Sequence, residues 1–261
     1  MTPPEPAPHD AYAALRVPHY RDYLIGSSLA LFGRQAVLAA VTWQVYEWTR
    51  SAAALGLVGV VNVLPLLALS LPAGALADRH DRRRLIAAGT AVLVVANGLL
   101  ALLSAAGSSL PPLAPLAWGN TALRTVATWF ELAGDPAQLR FDQPALPLMF
   151  LLLLGHATVR ILVWPARASI TPLLVPTPAL GNAITWNASS FEIATIAGPA
   201  LGGLLIAAGG TTAVYLLGTV TEILFLIAIA RVRYFHPPTP ARGGARGATC
   251  WRGPSSSGTG R

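Results

Sequence analysis

The stretch that decides the fold is GALADRHDRRRLIAAGTAVLVVANGLLALLSAA, residues 74–106. It opens with a short segment that carries four arginines, and it continues from Leu85 to Ala106 without a charged residue. About 20 apolar residues are enough for a helix to cross the hydrocarbon core of a bilayer. Lipid offers no hydrogen-bond partner to a peptide group, so a spanning segment has to be helical. The stretch therefore predicts a membrane-spanning helix that follows a cluster of arginines.

The composition of the whole chain agrees with a membrane environment. Hydrophobic residues make up 54% of the 261 residues, charged residues only 11%, and the mean hydropathy is +0.55. An average soluble domain has about 25% charged residues. The much lower charged fraction of this chain excludes an ordinary soluble protein. The net charge of +7 comes from arginine alone, because the sequence contains no lysine. Since the arginines flank apolar runs, they favour anionic lipid over nucleic acid as a partner.

Six apolar segments have the length of a membrane span, and they predict an all-α polytopic protein with a bundle of six transmembrane helices. The predicted spans are Tyr23–Tyr46, Leu55–Leu76, Leu85–Ala106, Leu146–Trp164, Phe191–Ala208 and Thr212–Ala230.

The distribution of arginine predicts the orientation of the bundle, because short cytoplasmic loops retain positive charge. One side holds Arg16, Arg21, Arg79, Arg82, Arg83, Arg84, Arg167, Arg231 and Arg233. The other side holds Arg50, together with Arg124 and Arg140. Three acidic residues in the same segment offset the positive charge of Arg124 and Arg140. We therefore expect a multi-pass protein of the cell (inner) membrane with both termini in the cytoplasm.

The segments outside the spans complete the predicted organisation. Residues 1–22 form a cytoplasmic tail without the features of a cleaved signal, 23–230 form the bundle, and 231–261 form a disordered cytoplasmic tail. That last tail is either unstructured sequence, such as the out-of-frame end of a longer gene, or a basic lipid-binding segment. Residues 107–144 form an extracytoplasmic insertion, which is either a lid or a plain insertion. Within it, Ala122–Leu132 is expected to be an amphipathic interfacial helix.

The basic segment between the second and third spans contains the sharpest motif, Gly74-Ala75-Leu76-Ala77-Asp78-Arg79-His80-Asp81-Arg82-Arg83-Arg84. Gly74 permits close helix packing, Asp78 can pair with arginine or with a helix N-terminus, and the arginines can bind anionic lipid. The segment resembles the G-x-L-A-D-R-x-G-R-K motif of the major facilitator superfamily. It departs from the motif at Asp81, where the family usually has glycine, and at Arg83, which replaces lysine.

A second motif lies in the fifth span, where Gly198-Pro199-Ala200-Leu201-Gly202-Gly203 resembles the G-P-x-x-G-G element of the same family's antiporter motif. Ser190, Ala194, Gly198 and Gly202 recur every four residues, which predicts a small-residue face for close packing of another helix. A gating role for this motif is what the resemblance implies.

Shorter matches extend the resemblance from about Leu15 to Arg231, with the exception of the insertion. They lie at Trp43–Glu47, Pro165–Arg167 and Gly181–Ala183, and they are similar to the branch that holds enterobactin-exporter-like and macrolide-efflux-like proteins. The resemblance implies a secondary transporter that exports a small molecule, such as a drug or a siderophore, by proton-coupled alternating access. It implies a twelve-helix fold in two bundles, with substrate bound between them.

The chain accounts for one of those bundles, so it corresponds to a truncated half of the family's fold. Transport would then need a second six-helix bundle or a homodimer. The alternative is a membrane fragment or interaction subunit that does not transport.

Polar residues inside the spans are the candidates for substrate binding or proton coupling, because a charge at the centre of a span costs about 2.5–3.5 kcal/mol. Arg34 and Gln35 share an arc of the first span with Ser27, Ser28 and Thr42, and this arc faces either a cavity or an ion pair. His156 and Arg160 lie four residues apart in the fourth span. Glu222 in the sixth span is either a proton carrier or the partner of an arginine. For His156, a proton relay and a structural role both remain open.

Several classes of function lack support in the sequence. There is no phosphate-binding loop, no nucleophile elbow and no pair of metal-binding His or Cys residues at the usual spacing. The single cysteine, Cys250, excludes an internal disulfide. We therefore expect no enzymatic activity, no cofactor and no metal.

Overall fold

A computed structural model of the protein describes residues 10–106, 114–130 and 141–232. The helices are α1 (Pro18–Thr49), α2 (Ala52–Arg79), α3 (Arg82–Ala106), α4 (Ala114–Phe130), α5 (Leu146–Leu174) and α6 (Leu180–Arg231). Two short 3-10 helices, Ala14–Arg16 and Thr177–Ala179, precede α1 and α6. The predicted tail beyond Val232 lies outside the described residues.

Five of the helices, all except α4, are long and apolar enough to cross a membrane. The last of them, α6, has 52 residues, which at about 1.5 Å per residue is more than twice the length that a bilayer requires. Gly210 interrupts α6 with a left-handed φ of 73°, a conformation that glycine adopts without strain. The two parts of α6 carry the fifth and sixth predicted spans, so the all-α prediction of six apolar crossings is confirmed.

The fourth predicted span ends earlier than helix α5 does, and the prediction therefore placed Arg167 wrongly outside the helix. We expected Trp164 to end the span before Pro165, whereas α5 continues through Pro165 and Pro172 to Leu174. Proline leaves a carbonyl in the preceding turn without its usual helical partner, but a helix packed on its neighbours can tolerate that loss. Arg167 therefore lies inside α5 and not in a loop.

The first and last described segments lie at one end of the bundle, where Ala14, Ile86 and Val232 belong to one hydrophobic cluster. We call it the Arg-rich end because α2 stops and α3 starts there, between Arg79 and Arg82. The segment before α1 lies across the start of α6. The Asn182 amide accepts a hydrogen bond from the Ala14 backbone and donates one to the carbonyl of Ala11, at 3.0 and 2.6 Å. The described part of the predicted N-terminal tail is thus packed on the bundle, and α1 already begins at Pro18.

Glycines bring α1 and α6 together. A Cβ atom placed at Gly198 would lie 2.5 Å from the Cβ of Gln35, and one at Gly202 would lie 3.0 Å from the carbonyl oxygen of Ala36. Gly203 and Pro199 are exposed and do not take part in this packing. A Cβ atom placed at Gly74 would have no neighbour within 4 Å among the described residues, so the close packing that this glycine permits stays a prediction.

Helix α4 is longer than predicted and starts at Ala114, while Leu132 lies outside the described residues. It packs against the start of α5, where the Asn120 amide donates a hydrogen bond to the carbonyl of Gln143 at 3.0 Å.

Candidate functional site

A cavity of about 430 Å³ opens between α1, α3, α5 and α6, and we call it the charged cavity. Its lining holds one carboxylate and three guanidinium groups, contributed by Glu222, Arg34, Arg160 and Arg167. Most of the other lining residues are apolar, among them Leu31, Leu93 and Trp164. Charged side chains are rare at such depth, and those that occur usually face a bundle interior or a watery cavity.

Arg167 and Glu222 form an ion pair inside the bundle. The guanidinium Nη2 of Arg167 lies 4.0 Å from the carboxylate Oε2 of Glu222, and the two side chains are 19% and 4% exposed. The guanidinium also lies over the ring of Phe225, 4.4 Å from the centroid, which adds a cation–π contact. Neither of the two paired atoms has a hydrogen-bond partner in the described residues. The pair therefore depends on charge and on the aromatic ring more than on hydrogen bonds.

Arg34 and Arg160 differ from Arg167 because neither forms an ion pair or a hydrogen bond with a described residue. Both are partly buried, Arg34 near the middle of α1 and Arg160 in α5. They also line a second cavity of about 500 Å³, which extends towards the start of α2 and includes Asn62. Since Phe191 lines both cavities too, these three side chains lie at the junction between them.

His156 and Gln35 belong to the second cavity. The Nε2 atom of His156 is buried and has no hydrogen-bond partner in the part of the chain that the structure describes. The Gln35 amide donates a hydrogen bond to the hydroxyl of Thr195 in α6 at 3.2 Å. Of the predicted arc on α1, Ser27 lines the charged cavity and Thr42 the second one, with Arg34 in both. Ser28 lines neither of the two.

The motif at the Arg-rich end forms a tight turn with arginine contacts to two helices. Asp81 stands where the resembling family has glycine, and its carboxylate accepts a hydrogen bond from the backbone N–H of Arg84 at 3.0 Å. An aspartate in this position caps the start of α3. Arg82 donates to the carbonyl of Ser169 in α5 at 3.4 Å, and Arg83 donates to the carbonyl of Ala230 in the last turn of α6.

The Ala230 carbonyl lies in the last turn of α6, where carbonyls lack a partner within the helix and a cation is favoured, whereas the Ser169 carbonyl lies inside α5. The two contacts tie the turn to the bundle. Asp78 and Arg79 are exposed, and Asp78 has no hydrogen bond or ion pair with a described residue.

The role of Arg167 was not predicted, because the fourth span was expected to end at Trp164 and Arg167 was placed after it. One signal was present. Residues that are seven apart share a helix face, so Arg160 and Arg167 had to lie on the same side of α5 if the helix continued. Ser169, whose hydroxyl donates to the carbonyl of Pro165 at 2.9 Å, supports that continuation.

The described residues contain no group of three or more His, Cys, Asp or Glu side chains that could hold a metal ion.

Comparison with known proteins adds two findings. Residues 23–254 match the family described as the Major Facilitator Superfamily. Macrolide efflux protein A of Streptococcus pyogenes is 23% identical over 208 residues, as is the protein of the same name from S. pyogenes serotype M6. The match covers 80% of this chain and 43% of the relative, so the chain spans less than half the length of these curated relatives. No solved structure matches.

Proposed function

Because the chain belongs to the major facilitator superfamily, we propose that it is one six-helix half of a secondary transporter that exports a small molecule across the cell membrane. The observation that carries this proposal is the charged cavity, in which a buried ion pair and two unpaired arginines line an otherwise apolar space. A bundle that needed only to pack in lipid would gain nothing from such charges.

Alternating access supplies the mechanism. Two bundles that rock against each other expose a site near the membrane centre first to one side and then to the other. In this chain the junction at Arg34, Arg160 and Phe191, which both cavities share, is the proposed substrate position. The second bundle is a separate six-helix half or a second copy of this chain.

Glu222 is the proposed proton carrier, since it is the one carboxyl group in the lining of the charged cavity. Its carboxylate lies at ion-pair distance from Arg167, and protonation would cancel the attraction within the pair. Loss or gain of that proton changes the strength of the ion pair between α5 and α6. Proton binding is thereby coupled to the relative position of the two helices.

The turn at Asp81 and the small-residue face of α6 are proposed to serve the motion. Arg82 and Arg83 bind α5 and α6 through contacts to backbone carbonyls, which can break and reform. Gly198 and Gly202 let α6 lie directly against the backbone of α1.

The transport test uses purified chain in liposomes, both as the single chain and as a covalently linked tandem of two copies. A panel of a macrolide, a dye and a siderophore is offered under pH gradients of either sign. We expect gradient-dependent transport that Arg34→Ala and Asp78→Asn strongly reduce, while the exposed control Arg84→Gln retains it. Glu222→Gln should still allow passive exchange but lose the response to the gradient. If every preparation behaves like empty liposomes, transport by this chain is excluded for the panel, and a non-transporting interaction subunit is favoured.

The orientation is tested with two single-cysteine reporters in a Cys250→Ser background. Arg50 and Arg84 are both exposed and lie at opposite ends of the bundle. We expect a membrane-impermeant maleimide to label Arg50→Cys in intact cells, and to label Arg84→Cys only after the cells are permeabilised. The reverse pattern would contradict cytoplasmic termini.

A further inference from the structure

Arg34 and Arg160 place positive charge in a cavity whose carboxylate among the described residues, that of Glu222, lies at ion-pair distance from a third arginine, Arg167. They come from different helices, α1 and α5, and both line both cavities. Arg16 pairs with Asp10 and Arg167 with Glu222, and neither ion pair includes these two arginines.

The charge of these side chains is permanent under physiological conditions. A guanidinium group has a pKa far above neutrality and does not deprotonate in proteins, so it cannot escape the cost of burial by losing its proton. Glu222 already lies at ion-pair distance from Arg167. Three guanidinium groups therefore share one carboxylate in the charged cavity, and two positive charges remain to be balanced.

The rest of the lining indicates what kind of molecule would supply the balance. Apart from Ser27, Thr171, Asn187 and Ser190, the neutral residues around the charged cavity are apolar or aromatic. Leu31, Trp164 and Phe191 can pack against a hydrocarbon or aromatic body. A guanidinium group donates two parallel hydrogen bonds to a carboxylate, sulfonate or phosphate, which makes arginine well suited to these anions.

We propose that Arg34 and Arg160 form the binding site for the acidic head group of an amphiphilic organic anion, whose apolar body lies in the charged cavity. This inference rests on the proposed transport function and names the substrate class for it. A ligand with a protonated amine would instead meet three like charges, which opposes its binding. The acidic head group belongs either to a free small molecule or to an anionic lipid that enters from the bilayer.

The test compares three naphthalene derivatives that share one ring system and differ in charge. 2-Naphthoate is the anion, 2-naphthylmethanol is neutral and 2-naphthylmethylamine is the cation at neutral pH. Binding to purified wild-type chain in a neutral detergent is measured by isothermal titration calorimetry, with empty micelles as the blank. We expect naphthoate to bind at least about tenfold more tightly than the alcohol, as charge-assisted hydrogen bonds imply, and the amine to bind most weakly.

Variants then assign the binding to the two arginines. Arg34→Gln and Arg160→Gln should each weaken naphthoate binding by about tenfold or more, whereas the control Arg124→Gln, on the exposed surface of α4, should bind like wild type. Arg34→Lys keeps the charge but loses the two-pronged geometry, so its affinity should lie between those of wild type and Arg34→Gln. Size-exclusion profiles identify any variant that has lost its fold.

Competition with dioctanoyl-phosphatidylglycerol separates the two sources of the anion. If this lipid displaces naphthoate from wild type, the site takes a lipid head group; if it does not, the site takes a free anion. Equal binding of all three probes, or unchanged naphthoate binding in both glutamine variants, would overturn the proposal. Because the experiment measures binding alone, its failure leaves the transport assay to be judged separately, and a silent transport assay leaves this result standing.

Discussion

Two groups of polar side chains lie in the apolar interior of this bundle, and they are built in opposite ways. Away from the Arg-rich end, Gln44, Ser104, Thr211, Thr212 and Tyr215 form a continuous set of hydrogen bonds, which we call the polar network. In the charged cavity, Arg34 and Arg160 form no hydrogen bond or ion pair with a described residue, and Arg167 and Glu222 meet only at 4.0 Å. Polar groups that satisfy each other hold helices in place. Charges left unsatisfied gain little for stability and point to a ligand.

The polar network also shows why one part of the bundle is well defined. The Tyr215 hydroxyl donates to the Gln44 carbonyl oxygen at 2.7 Å, and the Gln44 amide donates to Ser104 at 3.1 Å. These contacts join α1, α3 and the second part of α6 directly beside the interruption at Gly210. A buried network that satisfies its members in this way specifies one arrangement of the helices.

The largest effect is expected where an ion pair is broken within the charged cavity. Arg167→Gln leaves the Glu222 carboxylate buried without its partner, and it should lower the free energy of unfolding by about 3–5 kcal/mol. The double variant Arg167→Gln/Glu222→Gln should recover part of that loss, because neither charge is then stranded. Reversible unfolding by SDS in mixed micelles measures both values. A single variant as stable as wild type would show that the two side chains do not interact.

A smaller loss is expected from the polar network. Gln44→Leu removes the partner of the Tyr215 hydroxyl and of Ser104, which should cost about 1–3 kcal/mol of stability. Thr42→Val is the matched control, because among the described residues the Thr42 hydroxyl donates only to the carbonyl of Leu38 in its own helix. The same SDS titration serves for this pair. An equal loss in both variants would mean that the network does not join the helices.

A double-mutant cycle sharpens this result. Gln44→Leu and Tyr215→Phe, made alone and together, should give a coupling energy of about 0.6 kcal/mol, with about 1.7 kcal/mol as the upper range for hydrogen bonds between membrane helices. If the losses of the two single variants simply add, the hydrogen bond between Gln44 and Tyr215 does not stabilise this region, and packing does.

The smallest change in stability is expected for an unpaired arginine. Arg160→Gln strands no partner, so its free energy of unfolding should stay within about 0.5 kcal/mol of wild type or rise above it. A loss as large as that of Arg167→Gln would show that Arg160 supports the fold.

The sequence predicted the crossings of the fold because apolar length alone determines them. Leu85–Ala106 and the other predicted spans are long enough to cross a bilayer and carry few or no charges. The bilayer is therefore the favoured environment for these segments. The ends of the helices were harder to predict. The fifth span was predicted to start at Phe191, whereas α6 starts at Leu180. Asn182 and Asn187 lie in this first part of α6, where Ala14 and Tyr20 donate hydrogen bonds to them from distant parts of the chain.

The candidate site was predicted in part. Arg34, Arg160 and Glu222 were found because charge within an apolar run is conspicuous, and the structure brings them to one cavity. Which arginine pairs with Glu222 depends on the course of α5 beyond Pro165, and that course is set by packing against α2 and α3. A local rule for proline could not show it, so Arg167 was missed. The packing role of Gly74 stays a prediction, since a small residue permits contact without requiring it.

The most direct test of the contrast measures stability and naphthoate affinity for Gln44→Leu and Arg160→Gln in one set of preparations. We predict that Gln44→Leu loses stability and binds naphthoate like wild type, whereas Arg160→Gln keeps its stability and loses about tenfold in affinity. If both variants lose stability and affinity together, the polar network and the charged cavity serve the same purpose, and the division between a structural region and a ligand-binding region is contradicted.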